Sequence, residues 1–451
     1  MKLRIIMLGF LAVMLGGEAI AQETKTPLVD GLVHEGVFSC SGSTCHSRPS
    51  PTGTTVRQDE FVIWQDQSSI TGAHSRAYKV LLSDKSRVIA RNLGIGPAHK
   101  AEECLACHAD FVPEDQRGER FDITEGVGCE ACHGGAENWL TSHYAAGRTH
   151  AQNIADGLYP TEDPAARAEL CLGCHLGSDK PNQFITHRIM GAGHPRISFE
   201  LDLFTSLQEH HDEDDDYKER KDYSNGAKIW AVGQAIALQN QLELFANPKL
   251  GRNGAFPELI FFDCHACHVT FSNEPDYRPT WRPNPNRQLG PGVPVFNDAN
   301  MIMLRAAVKV VAPEMDRELR QAGVRFHKTV SETGGNYAAA TQNLSAIAGK
   351  LSATMAEAEF GRGEMLEIMD NIVNDSLSST YTEYAAAEQA VIAIGTFLDA
   401  LETESMLGAE TVDEIMPALD DAYAAVDDPN RYDFARMRNA IRRVQSQLRQ
   451  L

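Results

Sequence analysis

Ten cysteines fall into five close pairs, and a histidine follows the second member of every pair. The pairs are Cys40/Cys45, Cys104/Cys107, Cys129/Cys132, Cys171/Cys174 and Cys264/Cys267, followed by His46, His108, His133, His175 and His268. Four read C-x-x-C-H, whereas Cys40-Ser41-Gly42-Ser43-Thr44-Cys45-His46 has two extra residues between its cysteines. Two thiols about one helical turn apart can add across the two vinyl groups on one edge of a haem. The next imidazole then lies beneath the macrocycle and binds its iron. Five haems within residues 40–268 would leave little polypeptide for a separate core, so the chain without haem is expected to be largely unfolded.

Other uses of paired cysteines fit less well. Disulfides suit an exported protein but do not require a histidine after every second cysteine. Zinc ribbons pair cysteines at this spacing without so regular a histidine, and a redox C-x-x-C accompanies a βαβ pattern that is absent here. For the first motif, a disulfide or attachment through one cysteine competes with the haem reading. Ser41-Gly42-Ser43 is small enough to bulge, and His46 completes the same constellation.

The N-terminus reads as a leader peptide. Lys2 and Arg4 precede the apolar run Ile5 to Leu15, and Ala19-Ile20-Ala21 has the small-x-small form of a signal-peptidase site. Cleavage after Ala21 leaves a periplasmic chain with no later stretch long enough to span a bilayer. Net charge is -21; such acidity disfavours nucleic acid and anionic membrane surfaces, and suits a basic redox partner.

The sixth position on each iron decides between electron transfer and chemistry. Fifteen of the 16 histidines lie within residues 34–268, so the count permits two histidines per iron. His265 is poorly placed to reach the iron of its own motif. His210 and His211 introduce the acidic run Asp212 to Asp216 and read as a solvated loop, although either can serve as a ligand. His327 reads as core or surface.

Gly126-Val127-Gly128-Cys129-Glu130-Ala131-Cys132-His133-Gly134 resembles the third haem motif of the nitrifiers' tetrahaem cytochromes of the c-554 type. Trp64 followed by Ala73-His74 resembles that family's tryptophan and distal histidine, and His143 matches another distal ligand. The resemblance covers about residues 36–200. It implies closely packed haem pairs, some stacked in parallel, as in the related hydroxylamine oxidoreductases. In that family one haem, at the second motif, lacks a protein distal ligand, but such an open site does not carry over to this sequence. This sequence departs from the pattern in its expanded first motif, its fifth motif and its long tail. His99, just before Cys104, is a candidate to cap one iron, and His187 and His194 are the remaining distal candidates. Gly191 and Gly193 beside them allow a close approach to a haem plane or form an ordinary turn.

The expected fold is mainly α with extensive coil. A pentahaem domain spans residues 22–300 with short helices between motifs, and an α-helical bundle spans 301–451. Proline-rich residues 275–294, with Tyr277 and Trp281, read as a linker or a strap over the last haem. Leu344, Ile347, Leu351 and Met355, and then Phe434, Met437, Ile441, Val444 and Leu448, recur in steps of three and four. Gly334-Gly335 and Asp427-Asp428-Pro429 break the helices. The bundle can pack on the haem domain, form an oligomer or dock a redox partner. Two functions fit these features: an electron carrier, and an oxidoreductase for a small nitrogen or sulfur compound at an open haem.

Overall fold

The computed structural model describes residues 25–50, 57–254, 256–268, 284–287, 289–290, 293–332, 337–378, 380–381 and 383–451. The expected leader peptide, Tyr277, Trp281 and Gly334-Gly335 lie outside the described residues. The fold is mainly α-helical. Among the described residues the β-structure is a two-residue hairpin, Arg252–Asn253 against Phe256–Pro257, and two isolated bridges.

Residues 25–225 form short helices and turns. Four paired-cysteine motifs fall on helices: Glu102–His108, Glu130–His133, Pro164–His175 and Cys264–Cys267. One helical turn brings both sulfurs of each motif to the same side. The helix Pro164–His175 starts at Asp163, whose carboxylate accepts from the Ala165 N–H, with Pro164 in the first helical position. The first motif is a turn instead: Cys45 N–H donates to Gly42 at 2.8 Å and His46 N–H to Cys40 at 3.3 Å. The two extra residues are absorbed in that loop.

The second half is a bundle with its own core. It comprises Gly226–Ala246, Ala299–Val311, Pro313–Ser331, Ala338–Glu357, Arg362–Ser376, Tyr384–Thr403, Ala409–Val426 and Phe434–Leu448. The helix Gly226–Ala246 is apolar around most of its circumference, burying Ile229, Trp230, Val232, Leu238, Leu242 and Phe245; such a helix belongs inside a protein. Its core is continuous with Ala168 and Leu172 of the fourth motif's helix and runs on to Val444. The apolar packing therefore crosses the expected division at residue 300. Met355, Met365 and Met369 lie in this core, and Met437, Ile441 and Val444 turn the last helix's apolar face into it. No described helix is long and apolar enough to cross a membrane.

One charged cluster is buried where the chain enters the bundle. Arg287, 3% exposed, donates from Nε to Asp298 at 2.9 Å and pairs with Glu383. His327 Nε2 meets the same Asp298 oxygen at 2.9 Å. Breaking one partner of a buried pair leaves charge without compensation, which costs about 3–5 kcal/mol. Arg287→Met should lower the stability of the haem-matured protein by that order, read as a fall in the thermal midpoint followed by circular dichroism. An unchanged midpoint would show that the cluster contributes no net stability.

Candidate haem sites

The first four motifs open onto one connected cavity of about 2080 Å³, well above the roughly 300–1,000 Å³ of a site for one small ligand. Its lining includes both cysteines and the histidine of each of these motifs. The fifth motif stands beside the bundle. His265 stacks on Tyr384 with ring centres 5.8 Å apart, and Arg196 and Ser198 donate to Glu388 at 3.0 and 2.9 Å.

Every motif histidine faces a second histidine. Ring centres are 6.3 Å apart for His46 and His143, 6.4 Å for His108 and His194, 6.3 Å for His175 and His74, and 6.2 Å for His268 and His187. His133 faces both His210, at 6.2 Å, and His211, at 5.9 Å. Two imidazoles that share a metal, each at about 2 Å through one nitrogen, have ring centres roughly 6 Å apart. Direct ring contacts do not require that separation. His99 is placed differently: its ring meets Tyr78 edge-on at 6.4 Å, and among the described residues it faces none of the motif histidines.

Second contacts orient the rings. Nδ1 of His108 lies 3.0 Å from the Ala77 carbonyl, that of His143 2.8 Å from Leu140, that of His194 2.8 Å from Pro195, and that of His210 2.7 Å from Gln208. A carbonyl only accepts, so Nδ1 carries the proton in each case and Nε2 is left with its lone pair, as a metal-bound imidazole requires. Burial lowers the pKa of His74, His108 and His133, and brings His175 and His210 down to about 4. These rings are therefore neutral, which is the ligating form. His46 is the exception: its Nδ1 meets Glu60 at 3.0 Å, and that hydrogen bond raises its pKa. Burial opposes ionisation of Glu60, but contacts with His211 and His46 outweigh it and hold the carboxyl below the usual range.

The remaining histidines have structural partners. His34 is fully buried with Nδ1 2.8 Å from Asp110, and His150 meets Glu162 through Nε2. Glu130, inside the third motif, accepts from the backbone N–H groups of Glu35, Gly36 and Ala136 and so ties the N-terminal segment to that motif. Gly126 has φ +85, and a Cβ there would stand 2.6 Å from the His74 carbonyl oxygen. Val127 N–H donates to that carbonyl at 3.1 Å, and Trp64 Nε1 donates to the Val127 carbonyl at 3.1 Å. The approach to the third motif thus also positions His74 opposite the fourth.

The donor set fits covalent haem, which carries two propionates and takes one or two axial ligands. Trp139 Nε1 and Arg167 Nη1 are buried, line the cavity and have no acceptor among the described residues. A propionate would satisfy such donors, whereas an apolar ligand would leave them unpaired. Lys218 and Lys221 line the same cavity.

Sequence comparison points the same way. Residues 40–134 match the family model described as cytochrome c554 and c-prime. Over 165 residues the chain is 24% identical to cytochrome c-554 of Nitrosomonas europaea, an alignment spanning 34% of this chain and 69% of that protein. No solved structure matches the chain. Through the segment carrying its first three motifs the chain is similar to the cytochrome c554 family, which supports a c-type cytochrome with covalently bound haem c.

Proposed function

We propose that this chain is a periplasmic electron carrier holding five haems c, each ligated by two histidines. The carrying observation is the second histidine opposite every motif histidine, at 5.9–6.4 Å between ring centres. The pairs are His46 with His143, His108 with His194, His133 with His210, His175 with His74, and His268 with His187. His210 is preferred to His211 because its Nδ1 is held by a backbone carbonyl, while the His211 side chain is 46% exposed. When bound, the haems supply one-electron iron couples. Two histidines on an iron leave no position for a small molecule, which favours electron transfer over substrate chemistry.

The motifs also support an order for the array. Gly36 N–H, just before the first motif, donates to Glu130 of the third at 2.7 Å, and Cys174 Sγ lies 3.8 Å from the Ala106 carbonyl of the second, so the first site adjoins the third and the second adjoins the fourth. Tyr159 N–H donates to the His133 carbonyl at 2.9 Å and its hydroxyl to the Ala166 carbonyl, in the fourth motif's helix, at 2.9 Å, which joins the third site to the fourth. His187 opens the short helix His187–Gly191 and His194 follows it, and they face the fifth and second motif histidines. The sequence of neighbours is then first, third, fourth, second, fifth. The leader-like N-terminus supports export, and the net charge of -21 supports a basic redox partner whose association slows as salt rises.

A reductive titration of the matured protein tests this reading. It should consume five electrons per chain, and cyanide or nitric oxide should leave the spectrum unchanged. A haem that binds either ligand would contradict it and favour an oxidoreductase for a small nitrogen or sulfur compound.

A further inference from the structure

We propose that Glu60 makes the first haem the low-potential end of the array by placing a fixed negative charge against its motif histidine. This rests on the reading of His46 as an iron ligand.

Glu60 opens the short helix Glu60–Trp64 and is 7% exposed. Its Oε2 lies 3.0 Å from His46 Nδ1, and its Oε1 lies 3.6 Å from Nδ1 of His211, which faces the third motif histidine. The carboxylate is held in place from both ends of its helix. Phe61 N–H donates to the His46 carbonyl at 2.9 Å, and Trp64 Nε1 donates to the Val127 carbonyl at 3.1 Å. Gln58 N–H donates to Oε1 at 3.2 Å.

The other paired histidines with an Nδ1 partner on the same ring are held by neutral carbonyls: His108, His143, His194 and His210. Among the described residues, Glu60 is the carboxylate that meets rings of this set. A carboxylate accepting from a ligating imidazole increases the ring's donation to the metal. A buried anion nearby also favours the more positive oxidation state. Both effects stabilise iron(III) over iron(II), so accepting one electron there is less favourable and the potential falls. In the order of neighbours above, the first haem stands at one end and the fifth, beside the bundle, at the other. Glu60 would thereby set a downhill direction from the first haem towards the fifth. It acts through His46 and is a positioning residue.

Glu60→Gln keeps the size and an acceptor but removes the charge. Spectropotentiometric titration of the matured variant should show the lowest of the wild-type potentials moved upward, with the others changed far less and every haem still low-spin. Glu60→Asp keeps the charge and should retain most of the wild-type value. Unchanged potentials in Glu60→Gln, or equal shifts in both variants, would overturn the inference while leaving the five-haem reading intact. Wild-type protein lacking haem at Cys40/Cys45 by intact mass would overturn both.

Discussion

Expressed in cells unable to attach haem, the chain should keep the helices of residues 226–448 and lose the order of residues 25–225. The asymmetry follows from where each half finds its apolar interior. The bundle buries its own side chains, with Trp230, Leu304, Phe397 and Val444 among those at 0% exposure. The motif half has one small cluster built on Tyr78, Leu81, Ala90, Ala98, Leu105 and Ala109, and otherwise lines a cavity of about 2080 Å³. Without haem that open space fills with water, and the apolar side chains lining it, among them Leu81, Leu93, Leu140, Leu158 and Ile229, lose their packing partners. A domain's net stability is only about 5–15 kcal/mol, so losing that packing is expected to unfold this half. Limited proteolysis of the unmatured protein should leave a resistant fragment beginning near Gly226, and circular dichroism should retain the bundle's helical signal. Complete digestion with loss of that signal would show that the bundle depends on the haem half. This sharpens the expectation of a largely unfolded apo-chain, which came from the motif region alone.

The second large effect concerns His194. His194→Ala should convert one haem of the matured protein to a high-spin form that binds cyanide, while the rest stay low-spin. The His194 ring centre stands 6.4 Å from that of His108. Its Nδ1 is tied to the Pro195 carbonyl, which leaves Nε2 for the iron. Gly193, at φ +116, makes the turn that presents it. On the proposed pairing, His194 is the residue that closes the sixth position at the second motif. His99→Ala is the matched control. Its ring packs on Tyr78, so all haems should remain low-spin. A high-spin haem in His99→Ala, or none in His194→Ala, would reverse the assignment.

What the sequence discloses about these sites follows from how local the chemistry is. Thioether attachment and the proximal ligand lie within five to seven consecutive residues, so all five motifs are readable directly. Three of the four helical motifs end helices that bring both sulfurs to one side. Distal partners are set by tertiary contact. His143 and His74 are legible only through resemblance, and His99 is as plausible in sequence as His194. His210 and His211 read as the start of an acidic loop, because nothing local shows that their rings face His133 across the cavity. The turn that aims His210 at His133 is held by its own Gln208 carbonyl. The helix Gly226–Ala246 is hidden for a different reason. It lies between two motifs in a stretch read as short helices, although its nearly continuous apolar sequence marks a buried helix. In the bundle, the spacing of Met437, Ile441 and Val444 points to the buried face found.

Electron paramagnetic resonance of the oxidised, haem-matured protein tests the central claim most directly. Five haems with histidine on both faces predict low-spin signals that integrate to five irons per chain, with no high-spin component before or after cyanide. A high-spin signal integrating to one iron would contradict complete bis-histidine ligation and place an open, reactive site within the array.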